Sequence, residues 1–177
     1  MVIGRRSQPT RLKLPRAVVA ELDLQRGERP LAWARCRDGS WLVGTERALH
    51  RHDDPAWRPL PWQHIERADW RSDSDELSIV ELADWGEPER RTDIVVEFPG
   101  QLLELLRERV TRSVLLSRFA YVVGKRGVNV VARRAPSGEG PVAWSYVVTA
   151  GLDPADPRVQ KVASATLVAA RAELQDL

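Results

Sequence analysis

The chain has 177 residues, 43% of them hydrophobic and 29% charged, with a net charge of +2. That length suits one domain, or a domain with an extension, and this balance excludes a wholly disordered chain. No apolar stretch approaches the ~20 residues of a membrane-spanning helix, Arg5 and Arg6 are not followed by the apolar run of a secretory signal, and the single cysteine, Cys36, excludes an internal disulfide or a multi-cysteine zinc site. The expectation is a cytoplasmic protein that needs no cofactor.

The charge lies in blocks. Residues 1–37 carry 9 Lys/Arg against 3 Asp/Glu, residues 66–97 carry 4 against 11, and residues 98–150 carry 8 against 3. Such blocks steer partners or satisfy one another across a fold. Arginine outnumbers lysine 24 to 3, a bias read as the mark of a GC-rich genome before it is read as phosphate recognition.

In chain order, a basic arm (1–14) precedes a short helical turn opened by Pro15 and running through Ala17, Val18 and Leu22. From Leu31 the pattern becomes β. Ala32, Ala34 and Cys36 make a small apolar face that alternates with Leu31, Trp33, Arg35 and Arg37. Asp38-Gly39 predicts a two-residue type I′ hairpin turn, with a return strand over Ser40–Thr45 and a third strand over Ala48–His52. Asp53–Pro61, with Pro55, Pro59 and Pro61, is expected to be loop, and Trp62–Trp70 to be extended. Ser72–Glu76 is a polar turn before a strand at Leu77–Leu82. Asp84–Arg91 is a charged loop, and Thr92–Phe98 alternates as a half-buried strand.

After Pro99-Gly100, Leu102, Leu103, Leu105, Leu106, Val110, Val114 and Leu115 recur at helical spacing, which predicts an amphipathic helix of about 17 residues. Strands are expected over Phe119–Val123, Val128–Arg134 and Val142–Val148. A last helix follows, started by Asp153-Pro154 or Asp156-Pro157, where the proline's missing donor is harmless.

A run of antiparallel strands closed by one amphipathic helix, up to about residue 117, resembles the pleckstrin-homology-like fold. Trp41–Leu49 (WLVGTERAL) and Leu60–Trp70 (LPWQHIERADW) are similar to hairpin segments of bacterial PH-like and GRAM-like domains. The whole chain resembles a group of actinobacterial proteins, a likeness that implies no activity. The fold expected is α+β: a PH-like barrel with its closing helix over 15–118, then a three-stranded meander and a terminal helix over 119–177. Members of that family that bind phosphoinositides use a basic loop between the first two strands. Here that loop is a tight turn with an acid, flanked by Arg35 and Arg37, so lipid headgroup binding is disfavoured.

His50, His52 and Asp54 alternate and could share a strand face as a metal half-site, but a site needs three or four convergent ligands, and the bland reading, polar residues on an edge strand, is preferred. Cys36 reads as a small core hydrophobe. Asp69, Asp73, Asp75 and Glu76 lack the glycine and glutamate spacing of a calcium loop and read as a solvated hairpin tip. Phosphate-loop, dinucleotide and nucleophile-elbow motifs are absent from the sequence.

Seven tryptophans are an excess. Trp33, Trp41, Trp70 and Trp144 fall in strands and are assigned to cores. Trp57, Trp62 and Trp85 fall beside or within loops and are expected to be partly exposed, as anchors for a protein partner. Lys125, Arg126, Arg133 and Arg134, at the two ends of one hairpin, with Arg107, Arg109 and Arg112 before them and Tyr121 and Tyr146 nearby, form the best basic cluster for nucleic acid. The function expected is a non-enzymatic interaction or adaptor protein, with a homodimer allowed. The alternative is a nucleic-acid or ribonucleoprotein-associated factor.

Overall fold

The computed structural model describes residues 12–53 and 56–175. Among these described residues, ten strands and three α-helices run in the order α1 (Arg16–Glu21), β1 (Ala32–Cys36), β2 (Trp41–Gly44), β3 (Ala48–Asp53), β4 (Ala56–Pro61), β5 (Ile65–Arg71), β6 (Glu76–Glu81), β7 (Arg90–Phe98), α2 (Leu102–Ser113), β8 (Val114–Val123), β9 (Arg126–Arg133), β10 (Ala143–Val148) and α3 (Pro157–Gln175). The fold is α+β. Strands β1–β7 form one curled antiparallel sheet, a half-barrel in the order β4-β3-β2-β1-β7-β6-β5, and β10-β9-β8 form a second, smaller sheet. No helix among the described residues is long and apolar enough to cross a membrane.

The small face of β1 is buried as its alternation predicts: Ala32, Ala34 and Cys36 join Leu42, Leu49, Ile65, Leu77, Ile79 and Val96 in the first core. Helix α2 covers that core with Leu102 and Leu106, which are buried, and with Leu103, Leu105 and Val110 packed beside them. The β1–β2 turn differs from expectation. Only Gly39 has positive φ (+89°), while the Cys36 amide bonds the Ser40 carbonyl at 2.9 Å. This is a three-residue loop, Arg37 to Gly39, with the glycine in the left-handed position and Asp38 accepting the Ser40 amide at 2.8 Å.

Where a loop is expected over Asp53–Pro61, β4 forms and pairs with β3 from Ala48↔Pro61 to Asp53↔Ala56. It is the edge of its sheet, the one kind of strand that tolerates prolines, because its outward side needs no donors. Trp62 to His64 form a 3-10 turn, and the extended segment starts only at Ile65. The helix over α2 spans 12 residues, shorter than expected. Ser113 ends it: its hydroxyl donates to the Val110 carbonyl (2.7 Å) and its own carbonyl accepts the Arg134 amide (2.8 Å). From Val114 the chain is already strand.

The second sheet is covered on one face by α3. Val128 and Val130 from β9 meet Val159, Ala163 and Ala170 from the helix, with Leu116, Val122, Trp144, Tyr146 and Val148 packed around them. Of the two possible helix starts, Asp156 is the one used, accepting the Arg158 amide at 2.8 Å with Pro157 next in sequence.

Two sets of polar contacts tie these layers together. The first is a strap at the N-terminal side. Trp33 Nε1 donates to the Leu12 carbonyl (2.8 Å), Trp57 Nε1 to Glu21 (3.2 Å) and the Thr45 hydroxyl to Glu28 (2.5 Å), whose carboxylate also lies 3.7 Å from the buried His50 Nε2. The second is Arg133. At the end of β9 it is only 6% exposed, and its guanidinium donates to the carbonyls of Val110 (3.2 Å) and Glu66 (2.8 Å) and to the Ser113 hydroxyl (3.0 Å). One side chain thus holds β9, α2 and β5 together, and its charge faces the carbonyl end of α2, where a cation is favoured.

Replacing Arg133 by Ala leaves the Glu66 carbonyl without its donor, and an unfilled space between the layers. We expect a loss of roughly 3 kcal/mol in urea unfolding, only partly recovered by Arg133→Lys, which lacks the planar fork; a loss below about 0.5 kcal/mol contradicts this role. The strap sets a pH dependence. Burial pushes the His50 imidazole below its usual 6.5, against the upward pull of Glu28. Burial alone would raise Glu28, but Thr45, the Gln25 amide and His50 together hold it below 4.5. A depressed histidine favours the neutral form, so its contribution is whole above 6.5 and is lost as pH falls below that value; the Glu28 contribution is lost only at lower pH, through its own depressed pKa. The urea midpoint is therefore expected to fall between about pH 7.5 and about pH 5.5, and His50→Gln to flatten that fall; an equal slope in the variant places the titration elsewhere.

Candidate interaction surface

The structure separates the residues that the sequence groups as binding candidates. Trp62 is fully buried in the first core, its Nε1 donating to the Thr45 carbonyl at 3.1 Å, which corrects the expectation of exposure. Trp57 is half-buried on β4, edge-on to His52 at 5.4 Å. Trp85, from the loop between β6 and β7, is half-buried as well, edge-on to Tyr146 at 5.0 Å within the second core. The three tryptophans form no common surface.

The basic cluster also divides. Lys125 and Arg126 are exposed at the β8–β9 turn, with Arg126 donating to the Gly151 carbonyl at 3.2 Å. Arg133 is buried in the contacts given above, and Arg134 is half-buried. Arg126 and Arg133 are seven residue steps apart along one strand, about 24 Å. Arg133 does reach the acidic block, through the Glu66 backbone; the Glu66 carboxylate itself pairs with Arg67 at 2.9 Å.

Among the described residues no three His, Cys, Asp or Glu side chains are placed to hold a metal. His50 is buried beside Glu28 and His52 packs on Trp57, while Asp54 lies outside the described residues. Cys36 is 2% exposed and burial pushes its thiol up, away from the thiolate. Near it, the β1–β2 loop, β3 and β7 enclose a cleft of about 440 Å³ bearing Arg37, Asp38, Arg51, His52 and Asp93. Its charges are mixed, and Arg37 faces Asp75 at 3.7 Å.

A different surface stands out. In the second sheet the register sets Phe119 opposite Asn129 and Asn129 opposite Val147, on the face away from α3. One row on, Tyr121 lies opposite Gly127; one row back, Ser117, Val131 and Ser145 align. That face changes character along its length. Val131, Ser145 and Arg133 are buried, toward the end where Arg133 reaches the first layer, whereas Phe119 is 45%, Tyr121 69% and Val147 39% exposed. The two aromatic rings are held edge to face at 5.0 Å, and Phe119 lies over Gly127, where an added Cβ would come within 2.8 Å of the ring and 2.0 Å of the Ala120 carbonyl. The two rings thus pack on each other and on the strand behind them, and Lys125 and Arg126 stand at the turn end.

Of these residues the sequence singles out only Tyr121, as a neighbour of the basic cluster, because Phe119–Val123 reads simply as a strand. The signal was present: the strand is apolar on both alternating faces, yet one helix can cover only one of them. Comparison with protein-family models, with curated proteins and with solved structures finds no match to this chain.

Gly127 has no room for a methyl group, since the obstacle is backbone. Gly127→Ala is expected to cost roughly 3 kcal/mol in urea unfolding and to disorder the Phe119 ring, seen as altered aromatic NMR shifts; a neutral variant contradicts the packing described.

Proposed function

We propose that this chain is a non-enzymatic, cytoplasmic interaction module, a PH-like half-barrel with an added sheet-and-helix layer, that acts as an adaptor through protein–protein contacts. The observation that carries the reading is the open aromatic face of the second sheet. Phe119, Tyr121 and Val147 expose apolar surface side by side with Asn129 between two of them, on strands rather than on a loop. Rigid aromatics that need little ordering are efficient anchors in protein interfaces. The adaptor reading first drawn from the tryptophans thus moves to this face.

A second reading draws on the same place. Stacked aromatics beside Lys125 and Arg126 are the elements of a single-stranded nucleic-acid platform. The two differ in salt response, because phosphate contacts release counterions and protein contacts of this kind release few.

The test is capture of partners on the purified chain from lysate of its own source, with nuclease added, beside a Phe119→Ser/Tyr121→Ser variant. The adaptor reading predicts partners that survive nuclease and moderate salt and fall at least tenfold with the variant. Partners released by nuclease and steeply by salt would support the nucleic-acid reading instead. Partners that ignore the double substitution would remove this face from either.

A further inference from the structure

We propose that a second copy of this chain pairs with strand β8, edge to edge and antiparallel, so that a two-fold axis joins two three-stranded sheets into one of six. This goes beyond the adaptor reading and does not depend on it.

Every open sheet carries two edges whose outward N–H and C=O groups invite another strand. Two of the four edges here carry features that discourage this: β4 carries Pro59 and Pro61, and β5 carries Glu66, Arg67, Asp69 and Arg71, while β10 is only six residues long. β8 is different. It is the longest strand among the described residues, ten residues (VLLSRFAYVV), without proline or glycine, and its register shifts against β9 fall only near its ends, between Val114 and Leu116 and between Tyr121 and Val123. Its one charge, Arg118, is taken up by Glu173 of α3 at 2.6 Å. Seven of its ten residues are exposed, among them Val114, Leu115, Phe119, Tyr121 and Val123. Such an edge recruits a strand of the same kind.

The sequence of β8 selects the register. Residues opposite one another across a strand pair share a face, so odd positions must meet odd positions for the open face to continue. Centring the axis on Arg118 would set two guanidinium groups opposite each other. Centring it on Phe119 opposes Phe119 to its own copy, Ser117 to Tyr121 and Arg118 to Ala120, all within the regular part of β8 between its two register shifts with β9. No like charges meet. Five paired residues form about six backbone hydrogen bonds, within the range of ~5–15 found in interfaces. The pairing closes on itself, so it ends at the dimer instead of growing into a fibre. On the open face the aromatic pairs of the two copies become one continuous strip, and on the other face the two α3 helices lie on the same side of the joined sheet.

Sedimentation equilibrium of the purified full chain tests this directly. The expected mass is twice the 20.0 kDa of the chain; a monomer persisting to about 1 mM overturns the proposal, since even a contact of ~4 kcal/mol would show there. Phe119→Lys, which sets two ammonium groups face to face, is expected to weaken the dimer at least tenfold while circular dichroism shows the fold kept. Should that variant not fold, a charge exchange carries the test. Ser117→Glu or Tyr121→Lys alone should weaken the dimer, and the two together should restore it, because the residues meet only across the axis and lie about 13 Å apart within one strand. A dimer indifferent to these changes, or a double variant no better than the singles, overturns the β8 pairing.

Discussion

A buried guanidinium sits where the layers of this protein meet. Arg133 leaves the end of β9, passes under the last turn of α2 and reaches the backbone of β5, so that an element of the second sheet is held by two elements of the first. Its surroundings have the chemistry of a cation site built from carbonyls: Val110 belongs to the last turn of α2, where carbonyls lack helical donors. Desolvation of the guanidinium works against this arrangement and lowers its pKa, with Glu66 acting in the opposite sense. What remains is specificity of position. The Arg133 end of the second sheet is pinned under the first layer, and its other end is left clear.

That asymmetry gives the sheet its character. Three residues on one face, Arg133, Val131 and Asn129, run from buried to half-buried along a single strand. Beyond Asn129 the face is Gly127, with the Phe119 ring over it and Tyr121 beside it. The opposite face is filled by α3 and the inward valines of β9. A strand with apolar residues on both faces and only one face covered is unusual for a surface that ends at solvent, and it is this excess that both the partner reading and the β8 pairing use.

Much of the fold was legible because it rests on local pattern. The alternation Ala32-Ala34-Cys36, the leucine spacing of α2, the three strands after it and the Asp-Pro start of α3 all follow from periodicity and capping, and each element forms. The differences have particular causes. β4 was hidden by its prolines, which exclude a strand from the middle of a sheet but not from its edge. Helix α2 stops short of Val114 and Leu115, although both keep the helical spacing, because Ser113 turns its carbonyl to Arg134. Trp62 follows the proline-bearing segment read as loop and opens a stretch read as extended, and its burial depends on a 3-10 turn that drops it into a core made by distant strands. Arg133 and Arg134 read as a basic patch; whether a charge on a strand end faces water or another layer is a tertiary fact. The candidate surface was legible only as a surplus of apolar residues in one predicted strand.

Backbone hydrogen exchange along β8, followed as protein concentration rises, tests the central claim that this strand is an interaction element and not merely a sheet boundary. The account predicts that the outward amides between Ser117 and Tyr121 exchange freely in dilute protein and gain protection together as concentration increases, while amides of the proline-bearing β4 edge stay unchanged. Free exchange of those β8 amides at every concentration would contradict it.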